Sequence, residues 1–539
     1  MRGLCPEGRR RSPPSPLGSR GTRLGVLPRQ PQEAHDGGAF ARRAGKTSVA
    51  GLFFAQVKRN GAAVAVEHGE QRVTYAALGE RVLRLSAALL ARGVQRGDRI
   101  AILSENRPEF LELFLAAASI GAVVACQNWR LAPSELEHCV GLAAPKLAFS
   151  SERYAEAMRR TGRAPVVFGS AYEALLAGAS PLPGPQELDP EDALLILYTS
   201  GTTGLPKGAV ISHRAEIARN LVVQAEFAVH ADDTFVAWSP LYHMGGADYS
   251  LGTLMSGGKV IVLEGFDRAK LAEIVRTEQL GWLILMPGMV SAFATELEER
   301  KVVPRGIRLC GVMADLVPRA EIARITKLLG APYANTFGAT ETGCPPCSSN
   351  LIPVGVVPER LSKELSRFCE VRLVDPDDRD VPDGSPGELI LRGPTLFSGY
   401  FRAPEVNDHE FRGGYYHMGD VFVRNADRTL DFVDRVKYLI KSGGENIYPA
   451  EIERVLLADP RVLEACVVRA PDEKWGEVPV VFIARNDEEL GEVELKALCR
   501  ASLAGYKQPK AFHFVRIDEF PRSASGKIQR HELEKRRPP

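Results

Sequence analysis

The sequence has no apolar run long enough to cross a membrane and no excess of charge of either sign. The nearest candidate, residues 110–126, is interrupted by Glu112 and Gly121, whereas a membrane helix needs about 20 consecutive apolar residues. Lys and Arg number 68 against 67 Asp and Glu, and no basic block in the body marks a nucleic-acid groove. We therefore expect a soluble chain without a transmembrane segment and without nucleic acid as a partner.

Cysteine is also scarce. Nine cysteines in 539 residues, with no signal-peptide pattern, suit a reducing compartment better than a disulfide framework, so we expect a cytoplasmic protein. One C-x-x-C pair, Cys344 and Cys347, has no second pair at the spacing of zinc ligands. Because two prolines separate these cysteines, we expect a loop with two incidental thiols rather than the helix that a redox dithiol usually opens.

The N-terminal segment lacks helical apolar periodicity. Residues 1–46 are rich in Arg, Pro and Gly, and such a composition buries too little surface to order itself. A transit-peptide reading is open, but the prolines at 6, 13, 14 and 16 would break the amphipathic helix that such peptides form. We expect a disordered tail outside the fold.

Strand and helix patterns alternate after this tail. Apolar strand-like runs at 99–103, 123–126 and 147–149 are separated by helical patterns at 109–120 and 133–140. This alternation predicts an α/β protein with parallel sheets flanked by helices. A β-rich stretch precedes residue 434, and a smaller α+β pattern follows it. The predicted fold is a large N-terminal domain of α/β subdomains with a β-rich subdomain, followed by a small α+β C-terminal domain.

A loop rich in hydroxyls and glycines, residues 198–208 (YTSGTTGLPKG), is the most informative stretch. An apolar run at 193–197 precedes it and a β-prone run at 209–212 follows, so it is predicted to link two strands at a sheet edge. It differs from a Walker loop because a strand, and not a helix, follows its lysine. Glycines let backbone N–H groups converge on an anion, while hydroxyls and a lysine add donors. The predicted phosphate cradle comprises Thr199, Ser200, Gly201, Thr202, Thr203, Gly204, Lys207 and Gly208.

This loop resembles the signature of the adenylate-forming superfamily of acyl-CoA synthetases, peptide-synthetase adenylation domains and luciferases. Further motifs occur in the family's order across about residues 47–535. They are PLYH at 240–243, NTFGATETG at 335–343, GELILRG at 387–393, YYHMGD at 415–420, DRVKYLIKSGGENI at 434–447 and PRSASGKI at 521–528.

The resemblance implies how ATP would be held. The signature loop would bind the β- and γ-phosphates, Thr340 the α-phosphate, and Glu341 a Mg²⁺ ion. Phe337 and Gly338 would lie beside the adenine, although the family usually has tyrosine where Phe337 stands. Asp420 and Arg435 would contact the ribose, with Met418 in place of a usual threonine.

The resemblance also implies two alternating lids and a pivot between them. Lys527 would enter the site for adenylation, and Lys441 with Gly443 and Gly444 would enter for thioester formation, where the glycines leave room for the pantetheine arm of CoA. Lys437 would lie at the hinge, so that the small domain is mobile. The predicted division is 1–46 tail, 47–433 large domain, 434–437 hinge and 438–539 small domain.

The acid pocket implied by the family is apolar here. No carboxylate in residues 240–246 is available for the ammonium group of an amino acid, although Asp248 lies shortly after, so a hydrophobic acid is expected. His243 is either a core histidine or a gate to the pocket. The predicted pocket comprises His243, Met244, Gly245, Gly246, Gly311, Val312 and Met313, with residues 342–344 beside it.

These residues predict an ATP-dependent acid:CoA ligase that makes acyl-AMP and pyrophosphate and then acyl-CoA. Its small-molecule partners would be ATP with Mg²⁺, CoA and a carboxylic acid, most plausibly a fatty acid, with an aromatic acid as the alternative. A second copy of the chain remains a candidate partner. A ligase that loads a carrier protein, an oxygenating luciferase and a non-catalytic nucleotide-binding relative also remain open.

Overall fold

The computed structural model describes residues 45–199, 205–443, 445–522 and 528–536. The predicted segments Ser200–Gly204, Gly444 and Lys527, and nearly all of the tail, lie outside the described residues. Among the residues it describes, no helix is long and apolar enough to span a bilayer.

The first sheet has six strands in the order β6-β5-β3-β4-β7-β8, all parallel except for the last pair. The helical periodicity predicted for the connections is observed, because each crossover between parallel strands needs a helix that covers the sheet. The strands are β3 Arg99–Leu103, β4 Val123–Cys126, β5 Leu147–Ser150, β6 Val166–Val167, β7 Ala193–Thr199 and β8 Lys207–Ser212; the helices are α3 Pro108–Ile120, α4 Pro133–Ala143, α5 Ala155–Arg160, α6 Ser170–Ala177 and α7 His213–Phe227.

The second sheet has eight strands in the order β16-β13-β12-β11-β9-β10-β1-β2, with antiparallel pairs only at its two edges. Its strands are β1 Val64–His68, β2 Gln71–Thr74, β9 Thr234–Ala237, β10 Lys259–Val262, β11 Gln279–Leu283, β12 Gly306–Cys310, β13 Tyr333–Ala334 and β16 Leu351–Ile352. Its helices are α1 Val49–Asn60, α2 Tyr75–Ala91, α8 Met244–Ser256, α9 Arg268–Thr277, α10 Val290–Glu299 and α11 Arg319–Leu329.

A hairpin and an antiparallel sheet complete this part of the chain. The hairpin pairs β14 Phe337–Ala339 with β15 Gly343–Cys347, and the sheet joins β17 Glu370–Val374, β18 Pro386–Arg392, β19 Tyr416–Arg424 and β20 Leu430–Arg435, with α12 Pro404–Glu410 beside it. One continuous hydrophobic core, from Val49 to Leu430, lies under all of these elements. The prediction of a loop for Cys344–Cys347 is wrong, because both cysteines are buried on strand β15.

The C-terminal residues have hydrophobic cores of their own, built between residues 440 and 533. The five-stranded sheet runs β22-β21-β24-β23, with β25 paired to β24. Its elements are β21 Ile440–Ser442, β22 Glu445–Ile447, β23 Val462–Asp472, β24 Gly476–Arg485, β25 Ala511–Phe514, α13 Pro449–Leu456, α14 Glu492–Ser502 and α15 Arg530–Lys535. The fold is therefore mixed α/β, with a large N-terminal and a small C-terminal domain, as predicted; the domain limits remain predictions.

Candidate active site

The predicted phosphate loop connects two strands at the edge of the six-stranded sheet. Thr199 is the last residue of β7 and Lys207 the first of β8, and the two are directly paired in the antiparallel register. A Cβ on Gly208 would lie 2.8 Å from Ile196 Cγ2, so this position needs glycine for close approach of the strands. Both ends of the loop are thus held by the sheet.

Tyr400 connects this hairpin with the predicted metal ligand. The ammonium of Lys207 lies 4.0 Å from the centre of the Tyr400 ring. The Tyr400 hydroxyl donates to Glu341 Oε1 at 2.7 Å and lies 3.3 Å from the Tyr416 hydroxyl. Burial raises the pKa of Tyr400, which keeps the phenol neutral and able to donate. Sequence reasoning missed Tyr400, because this residue lies outside all of the motifs that carry the family resemblance.

The turn between β14 and β15 presents Thr340 and Glu341. Thr342 Oγ1 accepts a hydrogen bond from Ala339 N at 3.0 Å, and Phe397 N donates to Glu341 O at 2.9 Å. Glu341 is 8% exposed, so its carboxylate lies at the bottom of the site. These bonds fix the backbone of both predicted catalytic residues.

Glu341 fits the role of a Mg²⁺ ligand that acts together with a nucleotide. Among the described residues, no group of three or more His, Cys, Asp or Glu side chains could hold a metal by itself. Mg²⁺ in nucleotide sites is usually held by one or two carboxylates together with phosphate oxygens and water. A single buried carboxylate, with one oxygen oriented by Tyr400, matches that donor set.

The two predicted ribose contacts face each other across a pair of strands. Asp420 on β19 and Arg435 on β20 are register partners, and Arg435 Nε lies 2.9 Å from Asp420 Oδ1. The ring of Phe337 packs against Phe422 of the same sheet, with centroids 4.8 Å apart and planes at 88°. The predicted ribose contacts thus lie on this sheet, and Phe337, the predicted adenine contact, packs against the same sheet.

Two segments of the predicted acid pocket are placed by specific backbone contacts. His243 is exposed and its Nδ1 accepts from Gly245 N at 3.2 Å at the start of α8, so it is not a core histidine. Gly246 is packed tightly, because a Cβ there would lie 2.5 Å from Pro240 O. On the other segment, Gly311 has φ of +73° and lies directly over the ring of Tyr333.

Aromatic side chains join these two segments. Trp282 Nε1 donates to Gly311 O at 2.9 Å, and the ring of Tyr249, on α8, lies 4.8 Å from that of Trp282. The Tyr249 hydroxyl also lies 2.9 Å from Cys344 Sγ on β15. Val312 and Met313 are half-buried. Sequence reasoning missed Tyr249 and Trp282, which carry no motif signal.

Asp248, which lies shortly after the first segment of the predicted pocket, is buried and already paired. Its Oδ2 lies 2.9 Å from Arg219 Nη1, and both side chains are 2% exposed. Asp248 therefore offers no open carboxylate to the ammonium group of a substrate.

Two of the predicted lid residues, Lys441 and Gly443, lie in the described part of the small domain. Lys441 is exposed on β21, and Gly443 has φ of +58° with a hypothetical Cβ 2.6 Å from the Trp475 ring. Residues 522 and 528, which flank the segment of Lys527, form an antiparallel bridge. The hairpin β21–β22 and this bridge are separate parts of the same domain.

The predicted hinge has a buried carboxylate at its base. Asp434 accepts from Arg435 N and Ala450 N, both at 2.7 Å, and Arg469 Nη2 donates to the carbonyl of Lys437 at 2.7 Å. Burial raises the pKa of Asp434. Sequence reasoning placed a boundary at Asp434 but did not identify this hydrogen-bonding role.

Known proteins resemble the chain over most of its length. Residues 53–401 match the family of AMP-binding enzymes, and residues 451–527 match the AMP-binding enzyme C-terminal domain. A feruloyl-CoA synthase of Amycolatopsis sp is 35% identical over 484 residues, covering 88% of this chain and 96% of the relative. A 2-succinylbenzoate–CoA ligase of Bacillus cereus is 31% identical over 477 residues, covering 87% and 95%.

Among solved structures, ATP-bound MatB from Rhodopseudomonas palustris superposes with a TM-score of 0.77 at 26% identity, covering 91% of this chain and 99% of that one. The first range contains Lys207, Thr340 and Glu341, whereas Asp420, Arg435 and Lys441 lie between the two ranges. The chain therefore belongs to the AMP-binding enzyme superfamily, and within it to the AMP-forming acid–CoA ligases.

Proposed function

We propose that this acid–CoA ligase activates a compact aromatic carboxylic acid and transfers its acyl group to CoA. The observation that carries the choice of acid is the contact of Tyr249 with Cys344 and Trp282, because these side chains would limit the depth of the predicted pocket. Relatives that act on feruloyl and succinylbenzoyl groups support the same class of acid.

The first step joins the acid to AMP. A carboxylate oxygen attacks the α-phosphorus of ATP, the bond from that phosphorus to the bridging oxygen breaks, and pyrophosphate leaves. The difficulty is negative charge, which preorganised donors stabilise as it develops. Lys207 supplies one positive charge at the hairpin, Thr340 is placed at the turn for the α-phosphate, and Glu341 would hold the Mg²⁺ that accompanies the phosphates.

The ribose and adenine would be held by the antiparallel sheet. Asp420 can accept hydrogen bonds from the two ribose hydroxyls, and Arg435 can donate to ribose oxygens. Their pairing across β19 and β20 supports a common role, since both side chains then emerge on one face of the sheet. Phe337, packed edge-on against Phe422, supplies a flat apolar surface for the base.

The second step forms the thioester. The CoA thiol attacks the acyl carbonyl of the bound acyl-AMP, the mixed anhydride bond breaks, and AMP leaves. In this proposal Lys527 serves the first step and the Lys441 hairpin serves the second, with residues 434–437 as the pivot. The separation of hairpin β21–β22 from the 522–528 bridge within one small domain supports this division, because one rotation can present only one of them.

The pocket favours a ring over a long chain. The Tyr249 and Trp282 rings stand between α8 and the loop at Gly311, and a long acyl chain would have to displace them. No open carboxylate is available for an amino acid, because Asp248 is already paired with Arg219. A fatty acid remains the second candidate, since Met244, Val312 and Met313 offer it an apolar wall.

A screen of pyrophosphate release, with and without CoA, tests this proposal. Substituted benzoates, cinnamates and ferulate are compared with fatty acids of 6 to 16 carbons and with amino acids. We expect kcat/KM for the best aromatic acid to exceed that for the long fatty acids by about 10-fold or more. A preference for long fatty acids would overturn the choice of acid, and release with none of them would favour the non-catalytic reading.

A further inference from the structure

Three ionisable side chains lie wholly inside the large hydrophobic core, and the chemistry above does not use them. Glu216 and Arg219 are one turn apart on α7, and Asp248 is on α8. Their exposures are 0%, 3% and 3%. Charges at this depth are costly unless they are paired and hydrogen-bonded, so the arrangement calls for a reason beyond packing.

The cluster contains two acidic side chains, Glu216 and Asp248, and one basic side chain, Arg219. Arg219 Nη1 lies 2.9 Å from Asp248 Oδ2, and Glu216 faces Asp248. Burial raises the pKa of both carboxyl groups, and most strongly that of Glu216. Two buried carboxyl groups therefore face one guanidinium.

The other N–H groups of the Arg219 guanidinium donate hydrogen bonds to backbone carbonyls near the predicted active site. Arg219 Nη2 donates to Thr340 O at 2.9 Å, and Nε donates to Thr395 O at 3.1 Å. Thr340 precedes Glu341, and Thr395 lies at the start of the segment that leads to Tyr400. One planar fork therefore holds both segments that meet at the Glu341 carboxylate, which a lysine could not do.

The turn also rests directly on the stem of this arginine. Gly343 has φ of +76°, and a Cβ there would lie 2.9 Å from Arg219 Cγ. The glycine of the 335–343 motif thus makes room for Arg219. Through Asp248, the same guanidinium is tied to α8, the helix that begins at the predicted acid pocket.

We propose that Arg219 is a positioning residue for adenylation, which holds the Thr340–Glu341 turn in register with helix α8. This inference rests on the proposed role of Glu341 as the Mg²⁺ ligand. Loss of the arginine leaves Thr340 O and Thr395 O without the guanidinium donors that hold them, so Glu341 is displaced from the metal and phosphates. Transfer of the acyl group from a preformed acyl-AMP to CoA involves neither Mg²⁺ nor pyrophosphate, so it does not require the contact of Glu341 with the metal.

Two variants separate positioning from folding. Arg219→Lys keeps the buried positive charge beside Asp248 but cannot reach both backbone carbonyls. Arg219→Met combined with Asp248→Asn removes the pair without leaving an unpaired charge, a replacement that buried ion pairs often tolerate. Arg81→Met with Glu112→Gln is the matched control, because it removes a partly buried ion pair between α2 and α3, where the structure records no contact with site residues.

The readouts are pyrophosphate exchange against Mg²⁺ concentration, CoA transfer from supplied acyl-AMP, and melting temperature. We expect both Arg219 variants to lower kcat of exchange on the order of 10- to 100-fold and to raise the half-saturating Mg²⁺ concentration several-fold. CoA transfer should stay within about threefold, and the control should leave the exchange at its wild-type Mg²⁺ dependence.

The inference is overturned if Arg219→Lys, the variant that keeps the ion pair, has wild-type Mg²⁺ dependence. It is also overturned if the rates of pyrophosphate exchange and CoA transfer fall by the same factor and in proportion to the loss of melting temperature. The variant Glu341→Gln shows whether the positioning role of Arg219 or the Mg²⁺-ligand role of Glu341 is wrong. An unchanged Mg²⁺ dependence in Glu341→Gln would reject Glu341 as the ligand. A changed one, with Arg219→Lys unaffected, would reject only the role of Arg219.

Discussion

The hydroxyl of Tyr400 donates a hydrogen bond of 2.7 Å to Oε1 of Glu341. Since the same ring lies 4.0 Å from the ammonium of Lys207, one tyrosine contacts both the phosphate hairpin and the predicted metal ligand. A carboxylate held by one oxygen keeps its other oxygen available as a ligand.

Tyr400→Phe is expected to slow adenylation about 10-fold while leaving the ring under Lys207 in place. The hydrogen bond to a charged acceptor is lost, and it contributes about 1.5 to 3 kcal/mol. Pyrophosphate exchange at several Mg²⁺ concentrations measures the effect. Tyr416→Phe is the control, because the Tyr416 hydroxyl contacts Tyr400 and has no recorded hydrogen bond to Glu341. Equal rates in Tyr400→Phe and wild type would remove Tyr400 from the site.

Lys527→Ala and Lys441→Ala should have opposite effects on the two half-reactions. Loss of the Lys527 donor should lower pyrophosphate exchange by about 100-fold or more and leave CoA transfer from supplied acyl-AMP nearly unchanged. Lys441→Ala should spare exchange and slow CoA transfer. Single-turnover assays of each half-reaction provide the measurement, and parallel losses in both variants would contradict the assignment of two lids.

Tyr249→Ala should widen the range of acids. Removal of the ring opens space toward Trp282, and kcat/KM for acids with longer chains should rise relative to the best aromatic acid by about 10-fold, or about 1.4 kcal/mol. Tyr249→Phe keeps the ring and should retain the wild-type profile. A Gly246 variant is unsuitable for this purpose, because any side chain there meets the backbone at Pro240. An identical acid profile in Tyr249→Ala would place the pocket elsewhere.

His213 should make stability depend on pH below neutrality. Burial lowers its pKa from 6.5 to about 4, so the unfolded chain binds the proton more tightly than the folded one. The contribution of His213 to the free energy of unfolding is fully present above pH 6.5 and is lost as the pH falls toward 4. Between pH 7.5 and 5 the loss is about 2 kcal/mol of unfolding free energy.

Urea unfolding at these two pH values, for wild type and His213→Asn, tests this. Asparagine can still accept the hydrogen bond that Val49 N donates to His213 Nδ1 at 3.2 Å. The variant has no imidazole at position 213 to take up a proton. The difference in unfolding free energy between wild type and His213→Asn should therefore become smaller from pH 7.5 to pH 5. A constant difference at both values would mean that His213 titrates normally in the folded protein.

Local features of this chain could be predicted from the sequence. Strands at 99–103 and 123–126 agree with the structure to the residue, because apolar runs between turn residues are read over a few positions. The hairpin around the phosphate loop was predicted for the same reason, although Lys207 proves to be the first residue of β8. The loop predicted at Cys344–Cys347 failed because two prolines were taken as a break, and they lie instead on a two-stranded hairpin.

The sequence by itself determined the family, the order of the motifs and most of the predicted ATP-site residues, since these depend on residue type and spacing along the chain. Only the tertiary structure decided which side chains support them. Tyr400 meets Glu341 across 59 residues, and Arg219 meets Thr340 across 121. Such contacts follow from the packing of separate helices and sheets, and no local periodicity or turn signal encodes them.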